Sequence, residues 1–185
     1  MPATATQLLL KERIDAALDA NDLEATVERI RSLLEEGIRN GAIALPDRYR
    51  VPAGDHYARR LLIRERDYSA VVMTWGPGQQ TALHDHAGLW CVEGVVEGEI
   101  VVIRHDLKEE SAGLFRFEEQ TPIRAARGSA GSLIPPVEYH VLANPTDRVA
   151  VTLHIYGGEI DRCNIFVPHH DSWRERQTRM LGYDD

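Results

Sequence analysis

The first 45 residues carry apolar side chains at three- and four-residue steps, the spacing of one face of an α-helix. These apolar positions are Leu8, Leu9, Ile14, Leu18, Leu23, Val27, Ile30, Leu33 and Leu34. Asn21-Asp22 interrupts the pattern and can cap a second helix, and NGAIALPDRY ends the region with a glycine and a proline. We therefore predict helices in an N-terminal segment, residues 1–47, that packs on the rest of the chain.

From about residue 48 the pattern changes to short alternating runs separated by Gly, Pro and Asn, such as YSAVVMTW, CVEGVVEGEIVVIRH and VAVTLHIYGG. Such runs without an intervening helical pattern favour an antiparallel sandwich or barrel. In residues 149–156 the aliphatic side chains alternate with Ala150, Thr152, His154 and Tyr156. A strand with one aliphatic face and one polar face predicts a barrel with a functional mouth, which we place in residues 48–170.

Composition narrows the class of protein. The 185 residues are 43% hydrophobic and 27% charged, as in ordinary globular domains, with a net charge of −8 that argues against nucleic-acid binding. The apolar runs are too short to span a membrane, and the N-terminus lacks the basic start of a secretory signal. We expect a cytoplasmic protein with two free cysteines and a polar tail, residues 171–185, that is surface-packed or partly loose.

The stretch TALHDHAGLWC contains two histidines, His84 and His86, one residue apart. If the segment is a strand, both imidazoles lie on one face and can reach one ion while Asp85 points away. His140, in EYHVLAN, is the candidate third ligand, and three imidazoles leave positions on the metal open for small molecules. The alternative interpretation is a pair of surface histidines in a turn.

The wider spacing around these histidines resembles the two motifs of the cupin family, G-x5-H-x-H-x(3,4)-E-x6-G and G-x5-P-x-G-x2-H-x3-N. The resemblance implies a mainly β cupin fold, a double-stranded β-helix or jelly-roll barrel, with His84, His86 and His140 as metal ligands. Val137 stands where the second motif prefers glycine, and Cys91 stands at the glutamate of the first motif. A site of three neutral imidazoles carries no ligand charge, so bound Fe(II) readily attracts an anionic ligand such as a thiolate.

Cys91 at that position, together with the downstream HIY, resembles the cysteine dioxygenase family of thiol dioxygenases over roughly residues 48–166. The resemblance implies Fe(II) as cofactor, and a small thiol and dioxygen as reactants. YARR looks like the Tyr-x-Arg pocket strand of the family, so Tyr57 and Arg59 are implied as substrate-binding residues, with Arg59 holding the substrate carboxylate. Tyr57 and Arg59 share a face in a strand, whereas Arg60 points elsewhere.

The same resemblance implies a hydrogen-bond relay of Thr152, His154 and Tyr156, with Thr152 in place of the serine of the family. His154 and Tyr156 would be the catalytic pair. Cys91 is implied as the partner of Tyr156 in a thioether cross-link of the mammalian type. Two further residues, Cys163 and Trp90, are implied as lining the pocket.

We expect an iron-dependent thiol dioxygenase that converts cysteine into cysteine sulfinate. Alternative substrates are 3-mercaptopropionate and mercaptosuccinate. Two other classes stay open at this point. One is a different metal-dependent enzyme on the same scaffold, such as an isomerase or a ring-cleaving dioxygenase, and the other is a non-catalytic metal-binding cupin sensor.

Overall fold

The computed structural model describes residues 3–20, 22–136 and 138–185. Two helices, α1 (Ala5–Leu18) and α2 (Leu23–Arg39), and a short 3₁₀ helix (Asp47–Arg50) precede the strands. The strands of these described residues are β1 (Ala58–Arg64), β2 (Ser69–Trp75), β3 (Cys91–Glu97), β4 (Glu99–Ser111), β5 (Leu114–Glu119), β6 (Ile123–Ala126), β7 (Ala130–Leu133), β8 (His140–Ala143), β9 (Ala150–Tyr156), β10 (Arg162–Pro168) and β11 (Trp173–Met180).

Side-chain caps fix where the two helices begin. Thr4 and Gln7 form a reciprocal capping box at the start of α1. The side chain of Asp22 accepts a hydrogen bond from the backbone N–H of Ala25 and caps α2. The predicted helical region is therefore confirmed, and Asn21, the other predicted breaker, lies outside the described residues.

The strands form two antiparallel sheets, as the alternating pattern predicts. One has the order β1-β2-β9-β3-β7, and the other has the order β10-β11-β5-β4-β6, with β8 paired to β4. The mainly β cupin architecture with an N-terminal helical segment is thus confirmed. The site described below lies between the two sheets.

Strand β9 lies in the middle of the first sheet and is buried along its whole length. Its aliphatic residues Val151, Leu153 and Ile155 belong to a core that includes buried residues of both helices. Ala150 and Tyr156 face the second core inside the barrel. The aliphatic face of this strand therefore holds the helices, while the polar face points into the barrel.

Helix α2 covers the outer face of the first sheet. Its buried residues Val27, Ile30, Leu34 and Ile38 recur at helical spacing and pack on strands β3 and β7. Gly94 of β3 lies directly under this helix, because a Cβ atom built there would lie 3.0 Å from the side chain of Ile38. The close approach of helix and sheet therefore depends on a small residue at position 94.

The segment predicted as a polar tail, residues 171–185, contains a strand. Strand β11 pairs with β10 over seven residues and with β5 over three. Its sequence, WRERQTRM, shows no apolar alternation because most of its side chains are exposed, while the ladder itself needs only backbone groups. The expectation of a tail is therefore wrong for Trp173–Met180.

None of the helices in the described residues is long and apolar enough to cross a membrane. The division of the chain at residues 47 and 170 stays a prediction, as does the cytoplasmic location.

Replacing Leu34 with alanine tests how much the helices contribute. Leu34 is fully buried between α2 and the sheet, so Leu34→Ala should lower the free energy of unfolding by about 2–5 kcal/mol. Leu8 in α1 is 60% exposed, so Leu8→Ala should change the free energy of unfolding by less than about 0.5 kcal/mol. Equal urea midpoints for the two variants would contradict a helical segment packed on the barrel.

Candidate metal centre

Two segments far apart in the sequence meet at His84 and His140. Each residue donates its backbone N–H to the backbone carbonyl of the other, both at 3.2 Å. His84 forms an isolated bridge rather than a strand, which differs from the strand geometry we considered for residues 84–86. The bridge nevertheless places the Nε2 atoms of His84 and His140 3.2 Å apart.

The three predicted histidine ligands form one group. One ring nitrogen from each of His84, His86 and His140 lies within 4.8 Å of the others. Both ring nitrogens of His86 and Nδ1 of His140 are buried and have no hydrogen-bond partner among the described residues. Burial lowers the pKa of all three imidazoles, so their lone pairs stay free. Neutral imidazole nitrogens that converge in a buried site are the donors that a divalent transition metal requires.

Carboxylates from two elements hold the histidine loop. The side chain of Asp85 points away from the group and accepts hydrogen bonds from Ala87 N (3.0 Å), Asn164 N (2.9 Å) and Asn164 Nδ2 (2.8 Å). Buried Glu138 accepts from the backbone N–H of His86 at 3.3 Å. These bonds fix the loop backbone, so His86 needs no side-chain hydrogen bond to keep its position.

The predicted relay continues one residue further into the core than we expected. The indole N–H of Trp75 donates to Thr152 Oγ1 at 2.9 Å, and this oxygen lies 2.7 Å from His154 Nε2. The opposite nitrogen, His154 Nδ1, lies 3.4 Å from the hydroxyl of Tyr156. Burial raises the pKa of Tyr156, so its hydroxyl keeps its proton.

Arg59 and Tyr57 line the same cavity as His84, His86 and His154, which we call the metal pocket. Arg59 Nη1 donates to the backbone carbonyl of Gly182 at 2.6 Å, while its buried Nη2 has no partner among the described residues. The ring of Tyr57 packs on Trp75 with 4.7 Å between the ring centroids. Arg60 points away from the metal pocket toward Thr74. The pocket therefore contains a fixed cation with one unused donor.

Cys91 and Tyr156 are directly opposite each other on β3 and β9, and both are buried. This register brings the two side chains within reach, but the thioether stays a prediction. Cys163 lines the pocket, and burial raises its pKa to about 11. Trp90 does not line it, because adjacent residues of an extended chain face opposite sides, and Trp90 packs on the helix-side core instead.

Sequence reasoning missed three charged residues of the site. Glu138, described above, holds the histidine loop. Glu93 lines the metal pocket, and its alternation with Cys91 along β3 was the signal that could have shown it. Arg179 lines the outer part of the pocket from β11, opposite Cys163, and was missed because that strand was predicted as a tail.

A second cavity of about 430 Å³ lies on the other side of the relay. Glu93, Leu142 and His154 line both cavities, so these three side chains form the wall between them. Strands β4, β6 and β7 supply most of the remaining lining. The relay therefore faces the metal pocket on one side and a separate space on the other.

Comparison with known sequences identifies relatives over most of the chain. The family model described as cysteine dioxygenase type I matches residues 24–168. Cysteine dioxygenase type 1 from Rattus norvegicus and that from Mus musculus are each 25% identical to this chain over 171 residues. These matches cover 89% of this chain and 80% of each relative. The family model thus covers α2 and the strands from β1 to β10.

Solved structures show weaker similarity. A protein with a double-stranded β-helix domain from Klebsiella pneumoniae has a TM-score of 0.45 at 20% identity, covering 62% of this chain and 88% of that one. An RmlC-like cupin from Desulfovibrio desulfuricans has a TM-score of 0.42 at 20% identity, with coverages of 55% and 82%. The family match therefore rests on sequence.

The buried histidines make a prediction about the metal-free protein. Their pKa values are lowered in the folded state, so below about pH 6.5 the unfolded chain binds protons that the folded chain does not. The free energy of unfolding should therefore fall as the pH decreases, by up to about 1.4 kcal/mol per pH unit for each histidine. Urea unfolding at a series of pH values between about 7.5 and 5.5 measures this fall in the free energy of unfolding.

His56 provides the control for this measurement. Its pKa is raised by Asp55 and Asp184, so its contribution to stability is present at low pH and is lost as the pH rises. His56→Gln removes this opposing contribution and should make the decline steeper. A metal-free protein whose stability stays constant over this pH range would contradict the placement of three neutral histidines in the core.

Proposed function

The chain belongs to the cysteine dioxygenase type I family, and on this premise we propose that it is an iron-dependent thiol dioxygenase. The proposed substrate is cysteine and the product is cysteine sulfinate. Both atoms of dioxygen are transferred to sulfur, so sulfur is oxidised, dioxygen is reduced and the thiol proton leaves. The observation that carries the proposal is the unused donor of Arg59 in the pocket lined by His84 and His86, two members of the buried histidine group.

His84, His86 and His140 would hold the iron, because one ring nitrogen of each lies within 4.8 Å of the others and His86 has no hydrogen-bond partner among the described residues. When bound, Fe(II) supplies the redox chemistry and the positive charge that attracts a thiolate. Asp85 and Glu138 keep the histidine loop in place, as partners outside the ligand set do at metal sites. The chain thus contributes a site that is rigid before the substrate arrives.

Arg59 would fix the carboxylate of the substrate. Its Nη1 is held by Gly182, so the planar guanidinium presents Nη2 in a set direction. A buried guanidinium binds a carboxylate through short charge-assisted hydrogen bonds. Holding this end of the molecule places the thiol at the histidines and aligns the reacting atoms.

The relay of Thr152, His154 and Tyr156 would fix the orientation of the polar side chains in the pocket. Thr152 lies within hydrogen-bond distance of His154 Nε2 and so fixes the plane of the imidazole. His154 in turn limits where the Tyr156 hydroxyl can point. Because Tyr156 keeps its proton, it can donate a hydrogen bond to the sulfur or oxygen atoms of the reactants.

Mercaptosuccinate is the second candidate substrate, because one observation favours it. Arg179 is an exposed arginine that lines the same pocket as Arg59. A pocket with two guanidinium groups suits a thiol with two carboxylates. 3-Mercaptopropionate, which carries one carboxylate and no amine, completes the set of thiols to compare.

An oxygen-consumption screen of the iron-loaded protein tests the proposal. Cysteine should consume dioxygen and yield sulfinate at a one-to-one ratio, detected by mass spectrometry, with 3-mercaptopropionate and mercaptosuccinate measured alongside. His140→Ala removes a ligand and should abolish turnover. An iron-loaded protein that oxidises none of these thiols would contradict the proposal. Turnover of a non-thiol substrate would favour another metal-dependent enzyme, and binding without oxygen uptake would favour a sensor.

Arg59→Gln tests carboxylate recognition. Losing one partner of a buried charged pair should lower kcat/KM for cysteine roughly 30- to 150-fold, equivalent to about 2–3 kcal/mol. Arg60→Gln is the matched control, because this neighbouring buried arginine faces away from the pocket. Steady-state rates with each thiol measure both variants. Equal losses in the two variants would remove Arg59 from substrate binding.

A further inference from the structure

The second cavity, of about 430 Å³, has the volume of an ordinary pocket for a small molecule. Its lining includes four buried aliphatic side chains, those of Val95, Ile100, Leu133 and Leu142. It also includes Ile123, an apolar side chain that is 55% exposed, so the cavity reaches the surface. The cavity therefore offers an apolar path from the surface to the relay.

The lining of the second cavity offers little to a polar ligand. Within the described ranges, buried side-chain nitrogen or oxygen atoms that lack a hydrogen-bond partner belong to Arg59, Tyr68, His86 and His140. None of these four residues lines the second cavity. Thr152, which does line it, is already engaged by Trp75 and His154. A buried water molecule needs polar partners, whereas an aliphatic space accepts an apolar gas.

A wall of shared side chains separates the second cavity from the metal pocket. Leu142, Glu93 and His154 line both spaces. Leu142 follows His140 by two residues on β8, so both side chains point into the barrel. Two residues of a strand span about 7 Å, so the cavity begins next to a candidate metal ligand.

Leu142 is the part of the wall that can move. Its backbone is fixed by Thr81, which accepts from the Leu142 N–H at 3.0 Å and donates to the Leu142 carbonyl at 2.9 Å. Glu93 Oε1 and His154 Nδ1 lie 3.2 Å apart, so each of these polar side chains has a partner in the wall. The side chain of Leu142 is aliphatic and can change rotamer without breaking a hydrogen bond.

We propose that the second cavity binds dioxygen and delivers it to the metal pocket past the side chain of Leu142. This inference rests on the proposed function, because dioxygen is the second reactant of that reaction. The thiol acid would lie between Arg59 and the histidines and would fill the metal pocket from that side. Dioxygen is small, uncharged and apolar, so it would enter from the other side through the aliphatic lining. The two reactants then do not compete for one entrance.

Two substitutions fill the second cavity from opposite sheets. Gly131 on β7 lies opposite Glu93, and a Cβ atom built there meets nothing within 4 Å beyond its chain neighbours, so Gly131→Phe has room for its ring. Ala125→Phe on β6 fills the cavity from the other sheet. Ala126→Phe is the matched control, because this next residue of β6 is exposed and does not line the cavity.

Steady-state rates of the iron-loaded protein at varied dioxygen concentration measure delivery. Each filled variant should raise the KM for dioxygen by roughly 10-fold, because a narrowed route lowers the association rate. The KM for the thiol and kcat at saturating dioxygen should stay near the wild-type values, as should every constant of Ala126→Phe. A wild-type KM for dioxygen in a filled variant would overturn the proposal. If one filled variant does not fold, as judged by circular dichroism, the other decides the result.

Xenon gives a second measurement that does not depend on turnover, because this apolar gas enters apolar cavities. Crystals of the wild-type protein under xenon pressure should contain xenon in the second cavity, and crystals of Ala125→Phe should not. Wild-type crystals without xenon in this cavity would overturn the proposed gas binding. Xenon bound there in a protein that oxidises no thiol would support gas binding and contradict only the proposed reaction.

Discussion

The two backbone hydrogen bonds between His84 and His140 are the constraint on which the candidate site depends. They join a loop to a strand 56 residues further along the chain, and they leave both imidazoles free to converge. A side-chain contact could adjust by rotation, but a paired backbone fixes where each Cβ atom lies. The other ligand candidate, His86, follows from this position because Glu138 and Asp85 hold the intervening loop.

Strand β9 shows how one element can serve two purposes. Its aliphatic face packs against the helices, and its polar face presents His154 and Tyr156 to the barrel interior. Burial on both sides removes water from the relay, which strengthens the hydrogen bonds between its members. The helices therefore matter to the site although they contribute no side chain to the metal pocket.

The fold and the grouping of the three candidate histidine ligands could be predicted from the sequence, because they follow from periodicity and spacing. Alternation in residues 149–156 identified β9, and the spacing of His84, His86 and His140 identified the metal group. Glu93 was missed because a glutamate in a strand is usually exposed, although its alternation with Cys91 places it on the inner face of β3. Strand β11 was not predicted because most of its side chains are exposed and many are charged. Its pairing uses backbone groups, so its sequence shows no apolar alternation.

The position of Arg59 depends on a remote part of the chain. Gly182 lies 123 residues away and accepts from its guanidinium, and Asp184 lies 125 residues away and accepts from its backbone N–H at 2.7 Å. No histidine of the metal group uses these contacts. The proposed carboxylate binding by Arg59 and the proposed metal binding by the histidines would therefore draw on different regions of the chain. Local opening of residues 182–185 would release the guanidinium without breaking the backbone pairing of His84 and His140, so the two parts of the candidate site would lose their order at different temperatures.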